Sequence, residues 1–473
     1  MKTMTEYAKR RPASLRRGTS AVAGLFLLLA LPHDATSFPI DGDQTVLPAG
    51  SELNEDADYV PHEILRSEYS GDRTSYVVAL GDLAFNSPSI LGDVARRAGI
   101  SCGTCHVGGA SNARLFIPGL STRPGTFDTT GALFNPKADN HVLDPVRVPS
   151  LRGARYLAPY GHDGRTASLR DFVRNVIVGE FAGPEPSPST LDAIVAYVQE
   201  IDFLPNPRLG DRGRLTATAN EAERRGEALF AKPFPHDPNL SCAGCHPAAG
   251  AFVDHLQHDI GSGGLHKTPT LLNANFNAPY FHDGRYDSLD QVVDHFDHVY
   301  ELGLSTQDRG DLVAYLRAVG DARQPFDSDG VTTRFKDIDT FSLLLGQAIT
   351  ARDRDAINLA AETLGGEFRD LAERFPDHRD TAVTDALVER RMVRAAVKDV
   401  VISLRRIAMA VSAGDLDAAT AEYKVYYGLT FSRAMPLLRG TEPWSLFNPT
   451  VRAAHDAERR RLLRAPAQAE LQR

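Results

Sequence analysis

Along most of the chain apolar residues recur at three- and four-residue spacing, and period-two alternation is scarce, so the elements read as helices joined by loops. The pattern predicts a helix over residues 88–98, with Ser87 as a cap. A second covers 219–231, opening at Thr218 or Asn220 with Glu221 and Glu223 in its first turn. Amphipathic stretches follow at 169–178, 190–200, 289–298 and 306–319. Pro205, Asn206, Pro207 and Gly210 mark a boundary, and the Gly-, Pro- and Asn-rich residues 107–140 read as a long loop. From about Asp327 the stretches 341–350, 356–368, 383–413 and 418–438 fit a small antiparallel bundle. Met392, Met409 and Met435 read there as core packing.

One unit is written twice. Val148-Pro-Ser-Leu151 and Ala158-Pro-Tyr-Gly-His-Asp-Gly-Arg165, then Ser168-Leu169, recur as Thr268-Pro-Thr-Leu271, Ala278-Pro-Tyr-Phe-His-Asp-Gly-Arg285 and Ser288-Leu289 at a constant spacing of 120 residues. The expected fold is therefore mainly α, with two tandem domains at 78–210 and 211–326, an N-terminal extension at 38–77 and a helical extension at 327–473.

The first 37 residues change the picture of where the chain works. Lys9, Arg10, Arg11, Arg16 and Arg17 precede an apolar run over residues 21–31, too short to span a bilayer, with small residues at Ala35 and Ser37. This reads as a signal peptide at 1–37, which places the mature chain in the periplasm without a membrane span. Its removal takes six basic and two acidic groups, moving the formal charge from −9 to −13. Such a surface repels nucleic-acid phosphates and suits a basic redox partner.

Four cysteines in an oxidising compartment would ordinarily form two disulfides. Here each pair has two intervening residues and runs straight into histidine, as Cys102-Gly103-Thr104-Cys105-His106 and Cys242-Ala243-Gly244-Cys245-His246. In that pattern the thiols form thioethers to haem vinyl groups and the histidine gives iron an axial nitrogen. Two covalent haems c are the expectation, against a redox dithiol or half of a zinc site.

These motifs in this order, each followed by Pro-Ser/Thr-Leu and then by Tyr-x-His-Asp-Gly-Arg, resemble the bacterial di-haem cytochrome c peroxidase and MauG superfamily over about residues 78–320. Phe252-Val-Asp254 and His258-Asp-Ile-Gly261 add to the likeness. The resemblance implies a peroxidatic haem on His106 and a relay haem on His246, fed by a small periplasmic donor, a cytochrome c or a cupredoxin. His162 stands where that family carries a tryptophan between the haems; Trp444 is too far along the chain to replace it. Phe296 stands at the relay methionine's position, leaving His295, His298 and Tyr300 as candidate second ligands, with the two histidines favoured. A histidine would give a bis-His centre of lower potential, whereas a tyrosine would resemble MauG. His282 is expected to order the inter-domain region or a haem propionate. Asn277 and Pro279 align with backbone ligands of the family's inter-domain calcium, while Arg147 falls close to where a further Asn ligand belongs, so calcium stays open.

A haem peroxidase also needs a distal acid-base group. The resemblance points to Glu180, about two residues from the family's glutamate, with Arg165 on a propionate and His141 or His162 as other proton carriers. Three readings follow: reduction of hydrogen peroxide, MauG-like oxidation of a partner protein, and electron transfer without catalysis.

Overall fold

The computed structural model describes residues 47–53, 60–61, 64–67, 74–323, 326–327, 329–377 and 386–458. The leader read at 1–37 lies outside them. Among the described residues no helix is long and apolar enough to cross a membrane.

The fold is mainly helical, and its helices start where small polar residues cap them. Helix α1 (Tyr76–Phe85) opens on Ser75, whose hydroxyl accepts from Val78 N. Helix α2 is Gly92–Ala98, α3 Leu169–Asn175 with Ser168 as cap, and α4 Pro188–Glu200 with Ser187 as cap. In the second half α5 (Glu221–Phe230) carries a capping box between Asn220 and Glu223, and α6 (Leu289–Val299) one between Ser288 and Gln291. Helix α7 (Thr306–Val319) closes that half on Ser305. The helix expected over 88–98 is split: Pro88–Leu91 form a 3-10 turn, and Gly92 has a positive φ of 87° that a continuous helix cannot hold.

Each half is built on one close helix crossing. Helix α1 meets α4 at Gly81, where a Cβ would fall 2.0 Å from Ala193 O and 2.8 Å from Tyr197 Cβ. Helix α5 meets α7 at Gly226, where a Cβ would fall 2.0 Å from Asp311 O and 2.7 Å from Tyr315 Cβ. One turn on, Phe85 packs on Tyr197 at 5.2 Å, as Phe230 does on Tyr315 at 5.0 Å. Helix propensity alone favours alanine over glycine by about 1 kcal/mol. Gly81→Ala and Gly226→Ala are nonetheless expected to lower stability by about 1–3 kcal/mol, because the added methyl drives backbone from backbone. Gly310→Ala in α7, where a Cβ meets nothing within 4 Å, is expected to raise it. Thermal melts of the three variants check the opposite signs.

The loop over 107–140 differs from its expectation. It is irregular, yet Leu115 and Ile117 are fully buried, and Leu120, Phe127 and Phe134 nearly so, within the core of the first half. Asn112 ties its start down, its amide donating to Leu53 O and Thr104 O at 2.8 and 2.9 Å while its Oδ1 accepts from Arg114 N and Leu115 N. Phe127, Phe134 and Phe181 pack together with ring centres 5.0–5.8 Å apart, Phe127 stacked on Phe181. Two short antiparallel ribbons complete the halves, Thr126–Phe127 with Val146–Arg147 and Gln257–Asp259 with Leu265–Lys267.

The extension is a bundle of α8 (Val331–Ala351), α9 (Arg354–Glu373), α10 (Leu387–Ser412), α11 (Leu416–Leu429) and α12 (Met435–Thr441). A π turn at Thr430–Ala434 divides the helix expected over 418–438, just ahead of Pro436. Helix α9 leans on the first half: Leu359 joins that half's core, and the buried Thr363 hydroxyl reaches Leu83 O. Met392 and Met409 are not in the core as expected; they are 50% and 71% exposed.

Candidate haem-binding site

Each Cys-x-x-Cys forms one helical turn, Cys102–Cys105 and Cys242–Cys245, that presents both thiols on one side and ends at the histidine. Cys102 and Cys105 pack against the core holding Phe172, Ile177 and Phe181; Cys242 packs against the one holding Phe230, Leu289 and Val293. Burial pushes the Cys102 and Cys105 thiols up to about 12 and Cys242 to about 11. In the free chain these thiols are therefore held protonated by their apolar surroundings.

The histidines are aimed by backbone. His106 donates from Nδ1 to Pro149 O at 2.9 Å, and His246 from Nδ1 to Phe252 O at 2.9 Å. A carbonyl can only accept, so Nδ1 carries the proton and Nε2 keeps its lone pair for a metal. Burial holds His106 down to about 4 and also lowers His246, which keeps both imidazoles neutral. Phe85 lies 6.4 Å from His106 and Phe230 6.2 Å from His246, so the crossing helices back both rings. Two thiols in one turn and a neutral imidazole with a free Nε2 fit covalent haem in either half.

The distal candidates fall into pairs. Glu180 closes a π turn, Val176–Glu180, that extends α3, and it is largely buried. Burial raises its carboxyl above the ordinary value, while Arg165, with Nη2 donating to Oε1 at 3.1 Å, opposes the rise. Arg165 also holds Asp163 at 3.1 Å and lies 5.4 Å over the Phe172 ring. The same repeat interval of 120 residues carries Glu180 onto Tyr300, the residue that caps α6. Burial raises the Tyr300 phenol, and Cys245 and Cys242 lie among its electrostatic neighbours.

The two histidines favoured from sequence are placed otherwise. His295 donates from Nε2 to Ile260 O at 2.7 Å and accepts at Nδ1 from the Tyr286 hydroxyl at 3.0 Å, so neither nitrogen is free. His298 is exposed. His141 is exposed too, paired with Asp139 at 2.9 Å. His162 sits at the joint of the halves, donating from Nε2 to Arg147 O at 2.7 Å, and burial holds it down to about 3. His282 stacks on His266 at 3.7 Å. The motifs alone show neither the Glu180–Tyr300 correspondence nor the Gly81 and Gly226 crossings. The constant spacing, followed eleven residues past Leu169 and Leu289, exposes the first.

Residues 220–343, which hold the second haem motif, match the family model of the di-haem cytochrome c peroxidases. MauG of Methylorubrum extorquens is 25% identical over 300 residues, 51% of this chain and 77% of its own. The cytochrome-c peroxidase IdrP1 of a Pseudomonas strain is 34% identical over 79 residues, 14% of this chain and 20% of its own. The chain is a relative of the di-haem cytochrome c peroxidases and MauG. The gamma subunit of hydrazine synthase from Kuenenia stuttgartiensis is also similar, 27% identical over 230 residues and 36% of this chain. The chain spans 63% of that subunit's length. Among solved structures, Kuenenia stuttgartiensis hydrazine synthase aligns at a TM-score of 0.38 and 22% identity, over 57% of this chain and 97% of that one. A MauG-like protein associated with microbial copper homeostasis aligns at 0.35 and 17%, over 55% and 93%.

Proposed function

We propose that the chain is a periplasmic di-haem c-type oxidoreductase that reduces hydrogen peroxide. In this reading domains at 78–210 and 211–326 carry a peroxidatic and an electron-relay haem, and a helical extension follows at 327–473. The observation that supports it is the unequal pair at the repeated position, a carboxylate at Glu180 and a phenol at Tyr300. Haem c held by Cys102, Cys105 and His106 and by Cys242, Cys245 and His246 would supply one-electron and peroxide chemistry. The chain's own residues supply the rest. Glu180, kept from water and with a raised affinity for protons, accepts a proton from one peroxide oxygen and returns it to the other. Arg165 holds the Glu180 oxygen in place. His106 and His246, fixed by their carbonyl partners, would hold the haems as neutral imidazoles. Steady-state peroxide consumption with a reduced cytochrome c or cupredoxin tests the proposal. Turnover supports it; no turnover with both irons six-coordinate leaves the electron-carrier reading.

The place of Tyr300 near Cys242 and Cys245 favours a second reading, MauG-like oxidation of a partner protein, in which the phenol would help to hold the haem on the His246 side. Tyr300→Phe is then expected to change the near-infrared and EPR signature of one haem and leave the other untouched. An unaltered spectrum removes this reading.

A further inference from the structure

We propose that the joint between the two repeated halves is closed by two side-chain cations, Arg147 and Lys267, which take the place of a bound metal ion. The two stand 120 residues apart, each at the end of its ribbon's second strand, and each reaches into the opposite half. Arg147 donates from its backbone N to His282 O at 2.6 Å and from Nη1 to Asn277 O at 3.2 Å. Lys267 donates from its backbone N to His162 O at 2.9 Å and from Nζ to Leu157 O and Pro159 O, both at 2.7 Å. Leu157 and Pro159 are the repeat equivalents of Asn277 and Pro279. The carbonyls ahead of each His-Asp-Gly-Arg loop thus face a cation lent by the other half. A tyrosine flanks each cation: Lys267 Nζ lies 5.8 Å from the centre of the Tyr160 ring, and Tyr280 is a charge neighbour of Arg147.

Calcium fits this joint poorly. It takes six to eight oxygens, carboxylates prominent among them. The loop carboxylates are engaged already, Asp163 with Arg165 at 3.1 Å and Asp283 with Arg285 at 2.7 Å. Asn277 Oδ1 is buried without a hydrogen-bond partner, but it is one oxygen, and the carbonyl of the same residue accepts from a guanidinium. A dication there would meet that guanidinium's repulsion at close range. Among the described residues the one set of three His, Cys, Asp or Glu donors within 4.8 Å of one another is Cys245, Asp254 and His258, which includes a haem-motif cysteine and none of these loops.

The test uses the full chain carrying both haems, melted while the Soret band is followed, with and without EGTA and with and without millimolar calcium. The melting temperature is expected not to move, and elemental analysis to find calcium well below one per chain. Lys267→Met is expected to melt lower by roughly 4–8 °C, since it strips a charged donor from two half-buried carbonyls. Lys267→Arg, which keeps the charge and the donors, is expected to regain most of that loss. Stoichiometric calcium whose removal lowers the melting temperature overturns the proposal, as does a Lys267→Met protein that melts like the parent. Should Lys267→Met fail to accumulate, the EGTA comparison on the parent protein decides between a metal-free and a calcium-bound joint without it.

Discussion

Replacing Glu180 by Gln is expected to lower peroxide turnover by about 10²- to 10⁴-fold, the usual contribution of a positioned acid-base group. The substitution keeps the side chain's size and leaves Arg165 an oxygen to donate to, so the haem spectra should not change. The pH profile supplies an independent check. Burial raises the Glu180 pKa above its ordinary 4.5, so the carboxylate is lost at a higher pH than for an exposed glutamate as the solution is acidified. The acid limb of kcat/KM should therefore lie above pH 4.5, and Glu180→Gln should abolish it along with the rate. Parental turnover in this variant would make the carboxylate structural and return proton transfer to another group.

Loss of one of two haems is expected when Cys242 and Cys245 are both replaced by Ala, because every cysteine of the chain lies in an attachment motif. Pyridine haemochrome absorbance per chain should halve, and the haem left should be the one on His106. The matching change at Cys102 and Cys105 should leave the other. In the Cys242/Cys245 variant the first half shows whether it can hold a high-spin centre without its neighbour. A parent protein with four titratable thiols and no Soret band would end the haem reading for both halves.

What could be read from the chain followed the strength of the local constraint. The cysteine-histidine motifs are set by covalent chemistry and the caps at Ser168, Ser187, Asn220 and Ser288 by hydrogen bonding a few residues away, so both are written in short stretches. Gly81 and Gly226 are not legible in this way, since a glycine inside a helix reads as a cost in propensity until the partner helix is known. The core role of residues 107–140 is hidden for a related reason: Leu115, Ile117, Phe127 and Phe134 sit in irregular backbone, whose apolar residues have no period to reveal a buried face. The carbonyls that receive Arg147 and Lys267 belong to the main chain, and main-chain acceptors leave no trace in residue type. His295, His298 and Tyr300 stand too close together for proximity in sequence to rank them. The structure separates the three by the occupied nitrogens of His295 and the exposure of His298.

The buried loop also makes the two halves unequal in how readily they open. With it, the first half's core gathers 22 buried apolar residues among those described, and α9 of the extension covers part of its surface; the second half's core gathers 11. Sub-global opening takes the least free energy where the fewest apolar contacts must be broken. Amide exchange and proteolytic nicking should then start around α5 and α7, leaving the loop-filled half folded, so that any motion admitting a partner to the His246 side draws on the softer part of the molecule.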